Sequence, residues 1–117
     1  MVVAEIVHWV LELKNWEDVM AVTLINVFYV PKGKEDEFVK WWQDVKISIT
    51  KQPGFISGMF HRSLKPDSRY NFINVALWEG EDLYWKAYEK SAAPMKAKLD
   101  QLGVEMTPAL YTVAFDY

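Results

Sequence analysis

The chain has 117 residues, a formal net charge of -3, 51% hydrophobic residues and 18 aromatic side chains, but no cysteine. That length suits one domain with a core of its own, and the hydrophobic content excludes a disordered chain. The absence of cysteine excludes a disulfide scaffold, a thiolate nucleophile and any thiolate metal site, and the acidic balance without a Lys/Arg cluster excludes an electrostatic footprint for nucleic acid.

Residues 1–18 read as an N-terminal extension. Val3, Ile6, Val7, Val10 and Leu13 recur at helical spacing opposite Glu5, His8 and Glu12, which predicts an amphipathic helix. Val7, Trp9, Leu11 and Leu13 also alternate, so a strand stays open. His8 is read as a surface residue. The N-terminus lacks the basic stretch of a signal peptide, and the densest apolar run, Val19 to Val30, falls short of the about 20 residues a membrane span needs. The expectation is a cytoplasmic protein without a membrane or nucleic-acid partner.

The domain proper is expected over residues 19–117. Val19 to Val30 is rich in β-branched and aromatic residues and is apolar on both faces, with Asn26 among Val22, Leu24 and Phe28 on one of them. Pro31-Lys32-Gly33 ends this strand. Glu35-Asp36-Glu37 opens a helix, where acidic side chains suit the positive end of the dipole. Its apolar stripe is Phe38, Trp41, Trp42, Val45 and Ile49, and Gln52-Pro53-Gly54 stops it.

Phe55 to Arg62 and Tyr70 to Trp78 read as two strands joined by the turn Lys65-Pro66-Asp67-Ser68. Gly80-Glu81-Asp82 starts a second helix. Pro94 is expected to break it and to begin a follow-on helix with Met95, Leu99 and Leu102, closed by Gly103. Ala109 to Tyr117 alternates Tyr111, Val113, Phe115 and Tyr117 and reads as the last strand.

The order is α+β, a ferredoxin-like β-α-β-β-α-β arrangement with both helices on one face of an antiparallel sheet. The other face should be polar if it meets water. Here it is apolar, so it needs a cover, and a second copy about a two-fold axis supplies one. A homodimer is therefore expected.

The segment Val22 to Phe28 followed by Val30-Pro31-Lys32-Gly33 resembles the first strand of the antibiotic biosynthesis monooxygenase family. Pro53-Gly54-Phe55 with His61-Arg62-Ser63, and Asn71 to Glu79, resemble its second and third strands, so the likeness runs from about Val22 to Ser91. It implies a dimeric α+β barrel with a substrate cleft between each sheet and its helices. It also implies cofactor-free oxygenation of a small hydroxylated aromatic or quinol-type compound, as in relatives that carry out that reaction. A non-enzymatic, small-molecule-binding or stress-response module on the same scaffold is the alternative, because a fold does not fix a function.

By the same resemblance, Asn26, seven residues before Gly33, stands where the enzymes place a cleft Asn that holds substrate or oxygen. An amide offers donors and an acceptor without titrating. The plainer reading is an Asn that satisfies neighbouring backbone groups. His61 is a candidate general base and Arg62 a candidate oxyanion partner. They are adjacent on a strand and point to opposite faces, so only one can line the cleft. Trp78, Trp85 and Tyr88 could stack on a flat ligand, although aromatic residues at such spacing are more often core. Tyr70, Asn71 and Asn74 are further polar candidates. Haem-degrading relatives use an axial His on the second helix, and no His follows His61. No cofactor and no metal site is expected.

Overall fold

The computed structural model describes residues 21–117. The helix expected over 1–18, His8, and residues 19–20 of the expected first strand lie outside the described residues. The elements are β1 (Val22–Tyr29), α1 (Glu35–Ile49), β2 (Phe55–Arg62), β3 (Phe72–Trp78), α2 (Glu81–Leu102) and β4 (Glu105–Tyr111). They form one antiparallel sheet in the order β2-β3-β1-β4, the ferredoxin-like arrangement expected from the sequence.

Alternation along the strands sorts the sheet into two faces. Leu24, Asn26 and Phe28 of β1, and Phe72, Asn74, Ala76 and Trp78 of β3, are buried beneath the helices. One apolar cluster gathers Phe28, Phe38, Trp42, Phe72, Met95, Leu99 and Leu102. A second gathers Leu24, Ala76, Trp78, Tyr84 and Ala87. In the first, Phe28 meets Phe38 at 5.2 Å and Trp42 at 5.4 Å between ring centroids. These tilted and edge-on contacts add to the burial of each ring.

α1 begins with Glu35, Asp36 and Glu37 in its first turn and carries Lys46 in its last, as the helix dipole favours at both ends. Glu35 accepts a hydrogen bond from the Gly33 N–H at 2.6 Å. Gly33 and Gly54 hold positive φ in the turns that enter α1 and β2.

Three expectations are corrected. The break at Pro94 does not occur, and α2 runs unbroken over 22 residues. Pro94 is on the exposed side, so the carbonyl it leaves without a helical donor faces water. One turn earlier, the Ser91 hydroxyl bonds the carbonyls of Ala87 and Tyr88 at 3.2 and 3.3 Å. Gly103 does close the helix, in the left-handed conformation.

The last strand spans Glu105–Tyr111 instead of 109–117. Its partner sets the limit, because Tyr111 pairs with Thr23 and β1 begins at Val22. Pro108 is tolerated because β4 is an edge strand. The third strand begins at Phe72 instead of Tyr70, since Phe72 already pairs with Phe28 and Asn71 turns to another task, described next.

Candidate functional site

Among the described residues three asparagines are buried, and they differ in what they bind. Asn71 is fully committed to structure. Its Nδ2 donates to the Val30 carbonyl and its Oδ1 accepts from the Val30 N–H, both at 2.8 Å. That pair ties the chain leaving β1 to the start of β3.

Asn26 is 3% exposed, and its Oδ1 has no hydrogen-bond partner among the described residues. Asn74, 8% exposed, is the residue directly opposite Asn26 in the β1–β3 ladder. The same row across the sheet reads Phe60, Asn74, Asn26, Pro108. It runs along the boundary between the two apolar clusters. A buried polar atom without a partner costs about 1–3 kcal/mol, so an unpaired amide oxygen in this seam marks a place where a ligand group or an ordered water would be stabilised.

A cleft of about 380 Å³ opens onto this row between α1 and the β2–β3 half of the sheet. Phe55, Gly58, Phe60, Asn74 and Ala76 form its floor, and Val39, Trp42, Gln43, Lys46, Ile49 and Thr50 of α1 form its wall. Asn26 is one strand deeper than Asn74. Trp42 and Phe60 stack at 4.8 Å with planes 16° apart, and Phe60 stacks on Phe72 at 5.6 Å and 19°. The result is a stack of near-parallel aromatic rings at the edge of the cleft, beside an amide.

The other candidates fall elsewhere. His61 pairs with Ile73 on the open face of the sheet, opposite Asn26 and Asn74, and is exposed. Arg62 is on the helix side but at the rim, with its guanidinium 5.4 Å from the centre of the Phe72 ring and 3.6 Å from Asp36. Neither lines the cleft. Tyr70 is exposed beside Arg69. Trp78 is buried in the second cluster, edge-on to Phe55 and Tyr84, and its Nε1 has no partner among the described residues. Trp85 is exposed against Tyr84 and Tyr88. Tyr88 borders a second cavity of about 460 Å³ between α2 and β4, with Met95, Leu99 and Met106.

The sequence reading missed the α1 wall. Its signal was present, since Val39, Trp42 or Gln43, Lys46 and Ile49 or Thr50 recur every three to four residues beside the core stripe.

Among the described residues no group of His, Cys, Asp and Glu side chains could hold a metal ion. Among the described residues neither His nor Cys lines the cleft. Among the same residues no helix is long and apolar enough to cross a membrane.

Solved structures with the same arrangement include a candidate monooxygenase from Shewanella loihica. It is 33% identical, covers 83% of this chain and 97% of its own, and has a TM-score of 0.71. SnoaB, a cofactor-independent oxygenase from Streptomyces nogalater, is 24% identical over 83% of this chain and 96% of its own, with a TM-score of 0.70. No curated protein matches the chain significantly. Residues 21–97 match the model of the antibiotic biosynthesis monooxygenase family, and the chain belongs to that family.

Proposed function

We propose that the protein is a cytoplasmic, cofactor-independent monooxygenase of a small hydroxylated aromatic or quinol-type compound, bound in the α1 cleft of each subunit of a homodimer. The observation that carries this reading is Asn74 on the floor of an aromatic-lined cleft, with Asn26 directly opposite it, one strand deeper and carrying an unpaired buried oxygen. Family membership and the fold shared with SnoaB support the same reaction class.

In such a reaction the ionised ring is itself the reductant. For a naphthol, one ring and one O₂ give the quinone and one water. The ring loses four electrons; one oxygen atom bonds to carbon and the other leaves with the ring's two displaced protons. The protein's share is to hold the ring between apolar walls, to fix its oxygen and to exclude bulk water. The stacked Trp42 and Phe60 rings supply one apolar wall, and the two amides supply hydrogen bonds to the substrate oxygen or to a developing peroxide.

The open face of the sheet supports the dimer. Ile25, Val27, Ile73, Val75 and Leu77 share it, together with Met59, which is 67% exposed. A continuous apolar sheet face of this kind calls for a cover.

The test is O₂ uptake by the purified chain with a panel of naphthols and quinols, against Asn26→Ala and Asn74→Ala. Uptake above the uncatalysed rate that both variants abolish supports the proposal. Ligand binding without uptake favours the binding-module alternative.

A further inference from the structure

The charge inventory of the cleft bears on what enters it. Among the described residues Lys46 is the one ionisable side chain that lines it. Among the described residues no carboxylate or imidazole lines it to take a proton from a bound hydroxyl. His61 is on the other face of the sheet. Of the acids of α1, Glu35 to Glu37 are at its far end, about 14 Å or more away along the axis, and Asp44, two residues before Lys46, is exposed and does not line the cleft. The described residues offer a neutral phenol no such base in this cleft.

Lys46 itself is uncommitted. Its helical neighbours three and four residues away are Trp42, Gln43, Ile49 and Thr50, none of them acidic. Among the described residues it makes no ion pair, whereas Lys96 is held by Asp100 at 2.8 Å and Lys98 by Glu37 at 3.3 Å. Among the described residues, then, the rim of the cleft carries a cation without an ion-pair partner over an otherwise uncharged lining.

We infer that the cleft selects a flat aromatic oxyanion, one that arrives ionised or that the Lys46 ammonium holds ionised, and that Lys46 is the residue that sets this charge preference. The inference rests on the cleft being the ligand site, as proposed above. The ring lies against the stacked Trp42–Phe60 pair, the anionic oxygen stays near Lys46 at the rim, and the Asn74 amide, with the unpaired Asn26 oxygen one strand deeper, meets the far edge. Recognition of charge at the mouth does the work that a general base would otherwise do. It also explains how a site without a titratable acceptor can serve a reaction that needs an electron-rich ring.

The test uses the full chain, without O₂, and isothermal titration calorimetry with 1-hydroxy-2-naphthoate and with its methyl ester. The native protein should bind the carboxylate about tenfold more tightly than the neutral ester, as for a hydrogen bond to a charged group. Lys46→Arg should keep that ratio, Lys46→Gln should bring it close to one, and Lys46→Glu should invert it. Lys46 is exposed, so these variants leave the core intact. Equal binding of acid and ester by the native chain, or a ratio that survives in Lys46→Gln, overturns the inference. Gly58→Leu separates the two levels, since a Cβ at Gly58 meets the Ala76 Cβ and the Phe55 ring at ordinary contact distances of 3.5 Å and a longer side chain fills the cleft. If Gly58→Leu still binds the carboxylate, or the native chain binds neither probe, the cleft reading fails as well.

Discussion

Asn26 stands directly opposite Asn74 across the β1–β3 ladder, and both are buried in the seam between two apolar clusters. Opposed residues in an antiparallel pair hold their Cβ atoms about 5 Å apart, so the two amides form one polar patch in an aromatic floor. The Asn26 Oδ1 is unpaired there, which is a cost to folding that the proposed ligand would offset. Asn26→Leu should therefore raise stability by about 1 kcal/mol, or about 3–6 °C in Tm, and abolish turnover. Thermal unfolding followed by circular dichroism, beside the O₂ assay, checks both halves. A variant that is less stable and fully active would contradict this account.

Phe28 is fully buried and meets Phe38, Trp42 and Phe60. Phe28→Ala should cost about 3–5 kcal/mol in urea denaturation. It should also loosen the cleft, because Trp42 and Phe60 both lean on it.

The order of elements, β2 in full and the capping role of Gly103 were legible in the sequence, because strand alternation, an acidic helix start and a glycine stop are local signals. The limits of β4 were not, since they depend on where β1 begins. Nor was the continuity of α2 through Pro94, which turns on that residue facing water. The buried Asn on β1 was legible as a candidate. That Asn71 satisfies Val30 while Asn26 stays unpaired was not, because the difference lies in contacts 41 residues apart in sequence. His61 and Arg62 drew attention as chemical types, but strand parity and the edge position of β2 keep both away from the cleft floor.

Gly54 has φ of +90°, and a Cβ there would lie 2.6 Å from the Leu83 Cβ at the start of α2. Its carbonyl accepts from the Glu79 N–H at 2.7 Å. Gly54→Ala combines a strained backbone with a clash and should cost about 2–3 kcal/mol. Gly33→Ala has a similar φ and no heavy atom within 4 Å, so it should cost only the strain. Equal losses in the two variants would show that the contact with Leu83 is unimportant.

Tyr84 is buried beside Trp78, and burial, with a smaller contribution from neighbouring Tyr88, pushes its phenol well above the ordinary value of 10.0. The folded state thus holds this proton more tightly than the unfolded chain does. The contribution is fully present below about pH 10 and is lost as pH rises beyond it, because only the unfolded phenol ionises there. Stability should fall steeply above pH 10, and Tyr84→Phe should flatten that fall. Denaturation midpoints between pH 8 and 11 give the comparison. Parallel curves for the two proteins would count against a buried neutral phenol.

Val75 is at the centre of the open sheet face, opposite Ile25 on one side and Met59 on the other. A charge there would be harmless if that face met water, since the side chain points away from the core. Against a second copy it would sit next to its symmetry mate and lose hydration without a partner. Val75→Glu should therefore leave the fold's circular dichroism unchanged while light scattering shifts from about twice the chain mass of 13.7 kDa to that mass itself. Ser57→Glu, at the exposed margin of the same face, should shift the equilibrium far less, because its charge can reach solvent. A native chain that already scatters as 13.7 kDa would leave the apolar face without its proposed partner.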